Sequence, residues 1–528
     1  MARPRPGQLP KSPTGIAGLD AITGGGLPSG RPTLICGGAG CGKTLMSAAF
    51  LVNGATRYDE PGVFMTFEET ADELAQNVSS LGYDLEALQA KKRLVVDHVH
   101  IDRAEIEELE GYDLEGLFIR LDLAIRSVGA KRVVLDTLES LFGGFRDQAL
   151  LRAELRRLFR WLKARGVTAV TTGERGDGVL TRSGLEEYVS DCVIVLDHRV
   201  DGQVSTRRLR VVKYRGSAHG TNEYPFLIDA DGITVLPITS LELTHAAPVE
   251  RITTGIPALD DMLEGGGYFR GSTILVSGTA GTGKSSIAAH LALSTCERGE
   301  KCLFFAFEES EAQILRNTRS IGIDFAPYIE SGLIRFHASR PTRQGLERHL
   351  AEMQKLVAAH APSVVIVDPV SNLITAGPEQ DARSMLTRLI DFLKSHGITA
   401  LLTNLSAALD LEETQLSVSS VADTWLLVRD IESNGERNRV MYVLKSRGMA
   451  HSNQLREFVI TDAGIDLVDV YVDADGVLTG SARMAREELE RSAQLLRDQE
   501  TERRRRELER KRQVLQSRIR ALEAEFAA

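Results

Sequence analysis

Apolar residues in this chain gather into short dense runs, and the runs come twice in the same order. Thr33-Leu34-Ile35-Cys36 leads through a glycine-rich turn into a helix-patterned stretch at 45–53, and Ile274-Leu275-Val276-Ser277 does the same before 286–296. Gly62-Val63-Phe64-Met65-Thr66-Phe67 and Cys302-Leu303-Phe304-Phe305-Ala306-Phe307 form a second pair of runs. Arg132-Val133-Val134-Leu135-Asp136 and Val364-Val365-Ile366-Val367-Asp368 form a third. Runs of four to six apolar residues bounded by turns predict strands buried on both faces. Helix-patterned stretches such as 148–165 and 381–396 lie between them, so the expected class is α/β, with βα units on mostly parallel central sheets.

The repeat fixes the domain plan. Gly15-Ile16-Ala17-Gly18-Leu19-Asp20 with Gly24-Gly25-Gly26 opens the first unit, and Gly255-Ile256-Pro257-Ala258-Leu259-Asp260 with Gly265-Gly266-Gly267 opens the second. The expected layout is an arm at 1–13, a first domain at 14–240, a linker at 241–252, a second domain at 253–470 and a helical tail at 471–528. From residue 481 onward the chain has no proline or glycine and is rich in Arg, Glu, Leu and Gln, which favours one long helix. Leu508, Leu515 and Leu522 repeat every seven residues with Ile519 and Phe526 on the adjoining seam, and that spacing predicts a short coiled coil.

The turns after the first pair of runs carry chemistry. Residues 37–44 read Gly-Gly-Ala-Gly-Cys-Gly-Lys-Thr and 278–285 read Gly-Thr-Ala-Gly-Thr-Gly-Lys-Ser, so that Lys284 follows Lys43 by 241 positions. Both match the phosphate-cradling pattern G-x-x-x-x-G-K-[ST]. Backbone N–H groups of a bulk-free turn face phosphate oxygens, the lysine reaches the outer phosphates, and the Thr44 or Ser285 hydroxyl is placed for Mg²⁺. The nucleotide-binding residues expected here are Gly37, Gly38, Gly40, Gly42, Lys43 and Thr44, and Gly278, Thr279, Gly281, Thr282, Gly283, Lys284 and Ser285. Asp136 and Asp368, each closing an apolar strand downstream of its loop, are the expected carboxylates beside the metal. Glu68-Glu69 and Glu308-Glu309 follow the second pair of runs, where a carboxylate can orient or deprotonate an attacking group. The plainer alternative for these acids is that they complement the start of the next helix. Each unit closes on a basic signature, Lys213-Tyr214-Arg215-Gly216 with His219 and Lys445-Ser446-Arg447-Gly448 with His451, able to neutralise charge on a transferred phosphoryl group in cis or across a subunit boundary.

Charge and cysteine usage narrow the partners. A net charge of −10 gives no general reason to bind nucleic acid or an anionic membrane. The run Arg503–Arg506 is interleaved with glutamates and reads as a solvated helix face. No stretch approaches eighteen apolar residues and no export signal is expected, and Cys36, Cys41, Cys192, Cys296 and Cys302 show neither a C-x-x-C pair nor zinc spacing. The expectation is reduced thiols in a cytoplasmic protein, with Cys41 a small residue tolerated in the loop rather than a redox sensor.

Taken together, tandem phosphate loops, paired glutamates, strand-end aspartates and the two K-x-R-G closures resemble the KaiC family of two-domain RecA-superfamily ATPases and autokinases. The segments Glu223-Tyr224-Pro225-Phe226 and Arg456-Glu457-Phe458, which follow those closures, make the resemblance specific over about 14–470. It implies two RecA-like P-loop domains, ATP and Mg²⁺ as ligands, and a six-membered double-layered ring with ATP at subunit boundaries. It also implies that Lys213 and Arg215, and Lys445 and Arg447, reach the neighbouring subunit's nucleotide. Glu68 then activates water in the first domain, while Glu308 is the general base for an acceptor hydroxyl in the second. The family's acceptors are an adjacent Ser-Thr pair shortly before Asp-Thr. Here Ser419 and Ser420 precede Asp423-Thr424, so both positions keep hydroxyls. Pro369 follows Asp368 where the family has serine, and the tail differs from the family's short partner-binding segment. The rival readings are a RecA-like DNA-dependent motor and a nucleotide-gated signalling scaffold read by a partner through the tail helix.

Overall fold

The computed structural model describes residues 9–100, 114–142, 148–176, 189–201, 204–237, 248–406, 418–433, 435–473 and 476–526. The expected linker at 241–252 lies outside the described residues up to position 247, as do the first eight residues of the arm. Among the described residues the chain forms two compact units, each built on a nine-stranded sheet.

In the first unit the strands are β1 (Pro32–Gly37), β2 (Gly62–Thr66), β3 (Leu94–His98), β4 (Arg132–Asp136), β5 (Thr168–Glu174), β6 (Cys192–Asp201), β7 (Val204–Tyr214), β8 (Tyr224–Asp229) and β9 (Gly232–Val235). Their order across the sheet is β9-β8-β7-β6-β1-β5-β4-β2-β3. β1 to β6 run parallel, and β7 to β9 extend the sheet as an antiparallel meander. The apolar runs are continuous because both faces are covered. Ile35, Phe64 and Val134 face a core shared with the helix Lys43–Arg57, while Leu34, Val63, Met65, Val133 and Leu135 pack with residues of Glu115–Val128 and Gln148–Ala164.

The second unit repeats this plan with β10 (Thr273–Gly278), β11 (Cys302–Ala306), β12 (Ile334–Ala338), β13 (Val364–Asp368), β14 (Thr399–Leu405), β15 (Thr424–Ser433), β16 (Glu436–Ser446), β17 (Arg456–Thr461) and β18 (Gly464–Asp469). The sheet order is β12-β11-β13-β14-β10-β15-β16-β17-β18. β10 to β15 run parallel and β16 to β18 antiparallel. The expected helices are present as Lys284–Glu297 and Glu379–Ser395.

The tail is one helix, Gly480–Phe526, with no buried residue. Its start is tied to the second sheet. The Arg483 guanidinium donates to buried Glu457 at 2.6 Å, and the Gly480 and Ser481 N–H groups donate to Glu457 and Glu436. Leu508, Leu515, Ile519, Leu522 and Phe526 are all exposed. No described helix is long and apolar enough to cross a membrane.

Candidate nucleotide sites

Each phosphate loop turns at the carboxyl edge of a central parallel strand, where α/β sheets bind ligands. In the first unit the Lys43 ammonium folds back onto the loop's own carbonyls, Gly37 at 2.9 Å and Gly38 at 3.1 Å. Lys284 does the same with Gly278 at 2.9 Å and Thr279 at 2.6 Å. Gly42 and Gly283 precede the helices at φ +101° and +95°, and a Cβ there would meet Ile228 at 2.8 Å and Phe458 at 2.6 Å. The aromatic segments after the K-x-R-G closures therefore seat the loops from behind. At Gly38 a Cβ would meet nothing within 4 Å, which explains why Thr279 can stand at the corresponding position. Cys41 and Thr282 are both buried inside their loops, Thr282 donating to the Thr279 carbonyl at 2.9 Å. Gly40 and Gly281 have open space around them.

One strand separates each loop strand from the aspartate strand, and that strand supplies a hydroxyl. Thr172 on β5 donates to Asp136, and Thr403 on β14 donates to Asp368. Sequence reasoning passed over these threonines, although their recurrence in the two copies was a usable signal. Burial raises the Asp136 carboxyl above its ordinary value; the Thr172 and Thr44 hydroxyls oppose that, and nearby Glu68 adds to it. Thr44 and Asp136 thus present two hard oxygens side by side, and in the second unit Ser285 and Asp368 line one cavity. Among the described residues no group of three or more His, Cys, Asp or Glu could hold a metal ion. Mg²⁺ needs no such cage, since one carboxylate and a hydroxyl suit it when phosphate oxygens and water complete the shell.

The paired acids have separate surroundings. Glu68 accepts hydrogen bonds from Thr137 at 3.0 Å and from Ser140, both just after the aspartate strand. Glu69 instead accepts from Asn77 at 3.3 Å, as Glu309 does from Asn317 at 2.9 Å. The helix starts are already capped by Thr70 with Glu73 and by Ser310 with Gln313, so neither member of the acidic pairs is needed as a cap. Glu308 lines a cavity of about 350 Å³ with Lys284, Ser285, Asp368 and Pro369. Burial lowers the Lys284 ammonium, opposed by Asp368, Glu308 and Asp430.

The K-x-R-G closures lie elsewhere. Lys445 pairs with Trp425 and Ser446 with Thr424, and Thr424 is level with Ile274, four residues before Gly278. At about 3.3 Å per residue this sets them about 13 Å back from their own loop, toward the opposite edge of the parallel strands. There Lys445 donates to the Ser419 carbonyl and Arg447 to the Ser420 carbonyl, each at 3.0 Å. Lys213 and Arg215 occupy the matching place, beside Val193 and Asp191, and His219 stacks on Tyr214 with centroids 6.2 Å apart. His451 follows its closure on the same side of the second sheet, before β17. Each unit therefore gathers the loop, aspartate and glutamates at one edge and the basic closure at the other.

The profile of the KaiC ATPase matches residues 12–240 and again 252–471. The chain belongs to the KaiC family. It is 55% identical over 523 residues to the circadian clock protein KaiC2 of Synechocystis sp., covering 98% of this chain and 92% of that one. It is also 37% identical to the circadian clock oscillator protein KaiC of Parathermosynechococcus lividus, over 90% of this chain and 88% of that protein. The KaiC of Synechococcus elongatus is 36% identical, over 90% and 92%. As a KaiC-family member the chain is an ATPase with two RecA-like domains, and the Thr137 contact to Glu68 becomes informative. The second copy has Pro369 at that place, so a KaiC-type glutamate in the first site is held by a threonine hydroxyl that the second site lacks.

Proposed function

We propose that this KaiC-family ATPase hydrolyses ATP at both loops and phosphorylates itself on Ser419 or Ser420, acting as a timing or signalling protein as the names of its relatives suggest. The domains are 14–240 and 253–470, followed by the tail. Gly37 to Thr44 and Gly278 to Ser285 hold the triphosphate. Thr44 with Asp136, and Ser285 with Asp368, hold Mg²⁺, which neutralises phosphate charge when bound. Glu68 orients and deprotonates water at the first site, with Glu69 fixed beside it by Asn77.

At the second site Glu308 takes the proton from a serine hydroxyl. The Oγ–phosphorus bond forms as the β–γ bridging bond breaks, and ADP departs. One observation carries the reading of where that serine comes from. Ser419 and Ser420 lie on the basic closure, at the edge away from the chain's own loop. A serine so placed meets the loop of a second copy rather than its own, which supports a ring of identical chains with Lys213 and Arg215, and Lys445 and Arg447, completing the neighbour's sites. Six copies is the number we propose, in the cytoplasm, where five buried free cysteines stay reduced.

Intact-mass measurement after incubation with Mg-ATP tests the kinase reading. Added phosphate in the unmutated chain and none in Glu308→Gln is the expected result. No added phosphate in the unmutated chain, with ATP still turned over, leaves an ATPase without kinase activity.

A further inference from the structure

Three consecutive carbonyls of the candidate acceptor segment are each taken by a different cation. Lys445 binds the Ser419 carbonyl and Arg447 that of Ser420, at 3.0 Å each, while Lys394 reaches the Val421 carbonyl at 3.5 Å and Asp423 at 2.7 Å. Asp423 is held in turn by the Thr273 N–H at 2.9 Å. The charged groups that act on Lys445 are Arg447, Asp423 and Lys394. Among the described residues, three cations therefore converge on a short turn with one carboxylate among them, an excess of positive charge at a half-buried place.

The first unit gathers cations around the corresponding aspartate. Lys163 pairs with Asp191, with Arg31 at 3.7 Å and Arg215 at 4.0 Å from the same carboxylate. Asp191, Lys213 and Arg215 precede Asp423, Lys445 and Arg447 by one constant offset of 232 positions, and at that offset Glu187 stands where the second unit has Ser419. One repeat thus encodes a permanent anion at the position where the other encodes a hydroxyl.

We propose that Lys394, Lys445 and Arg447 form an intramolecular receptor for a phosphate group carried on Ser419, with Lys394 as a positioning residue. A phosphoserine adds close to two negative charges and three acceptor oxygens, enough to satisfy such a cluster with charge-assisted hydrogen bonds. Phosphorylation then places an anion in the second unit at the repeat position where the sequence of the first has Glu187. Lys394 holds Asp423, and so the turn, in register before and after the phosphate arrives. The proposal takes Ser419 as an acceptor from the autokinase reading, but its test does not need the kinase.

Phosphoserine installed at position 419 during synthesis of the full chain can be titrated by phosphorus NMR. The expected second ionisation lies about one pH unit below that of a peptide of the same sequence, which titrates near about 6. Lys394→Gln is expected to move it back toward the peptide and Lys394→Arg to preserve it, with Arg447→Gln as a second, independent loss. A midpoint in the unmutated protein equal to the peptide's, or one unmoved by both Lys394→Gln and Arg447→Gln, overturns the receptor. Failure of the kinase itself would show in the mass experiment and leave this titration unaffected.

Discussion

Gly38 and Gly42 stand four residues apart in one loop, yet only one of them is required to be glycine. Gly42 combines φ +101° with a Cβ position already filled by Ile228, whereas Gly38 has open space. Placing a side chain in the left-handed region costs about 1–2 kcal/mol before any clash. Gly42→Ala should therefore weaken nucleotide binding at the first site about tenfold or more, and Gly38→Ala should leave it within about twofold, as a fluorescent nucleotide titration would reveal. Cys41 reads in the sequence as a tolerated small residue; it is buried, and desolvation raises its thiol, as it pushes Cys192 to about 12 and Cys296 to about 11. At pH 8 native protein should thus react with iodoacetamide far more slowly than unfolded protein. Rapid labelling of Cys41 with loss of ATP turnover would revive a redox role. His290 was invisible in the sequence, because nothing local marks it. It lies buried on the loop helix, bonded to the Ser286 carbonyl at 2.8 Å while accepting from the Ile465 N–H at 3.3 Å, and burial lowers its pKa. The unfolded imidazole takes up its proton near pH about 6.5 and the folded one only lower. Stability of the second unit should therefore fall as pH drops below about 6.5, and His290→Gln, which removes the titrating imidazole, should flatten this part of the pH dependence in denaturant melts.

At the scale of elements, the tail helix has a short anchored start and a long exposed remainder. Arg483 is partly buried where it meets buried Glu457, so Arg483→Ala takes the guanidinium from a buried carboxylate that keeps the Gly480 N–H, and should cost about 1–3 kcal/mol of second-unit stability. Truncation after Glu490 should cost almost nothing, since every described residue beyond it is exposed. Equal losses from the two changes would contradict the anchor. The parallel strands were legible because burial on both faces makes their sequences continuously apolar. The antiparallel extension was not. β7 alternates buried Leu209 and Val211 with exposed Arg210 and Val212, and such a half-buried, arginine-rich strand escapes a search for apolar runs. That extension nonetheless supplies Phe226 and Phe458 behind the loops and carries both basic closures, so part of each candidate site was visible as motif while its support was not.

At the scale of the whole molecule, duplication made weak signals strong, but it also concealed how the copies differ. Glu68 has its Thr137 partner and Glu308 lines a cavity without that hydroxyl, a difference that agrees with the proposal of water as acceptor at the first site and serine at the second. Glu68→Gln should accordingly reduce first-site ATP turnover about a hundredfold while nucleotide still binds. The central claim is that the phosphoryl group crosses from one copy of the chain to the next. It is tested most directly by co-expressing a Lys284→Ala chain, which keeps its serines, with a Ser419→Ala/Ser420→Ala chain, which keeps its loop, and weighing each chain after incubation with Mg-ATP. The account predicts phosphate on the Lys284→Ala chain, and none on that chain when it is incubated alone. A Lys284→Ala chain that stays unmodified in the mixture, while unmutated protein becomes phosphorylated, would contradict transfer between subunits.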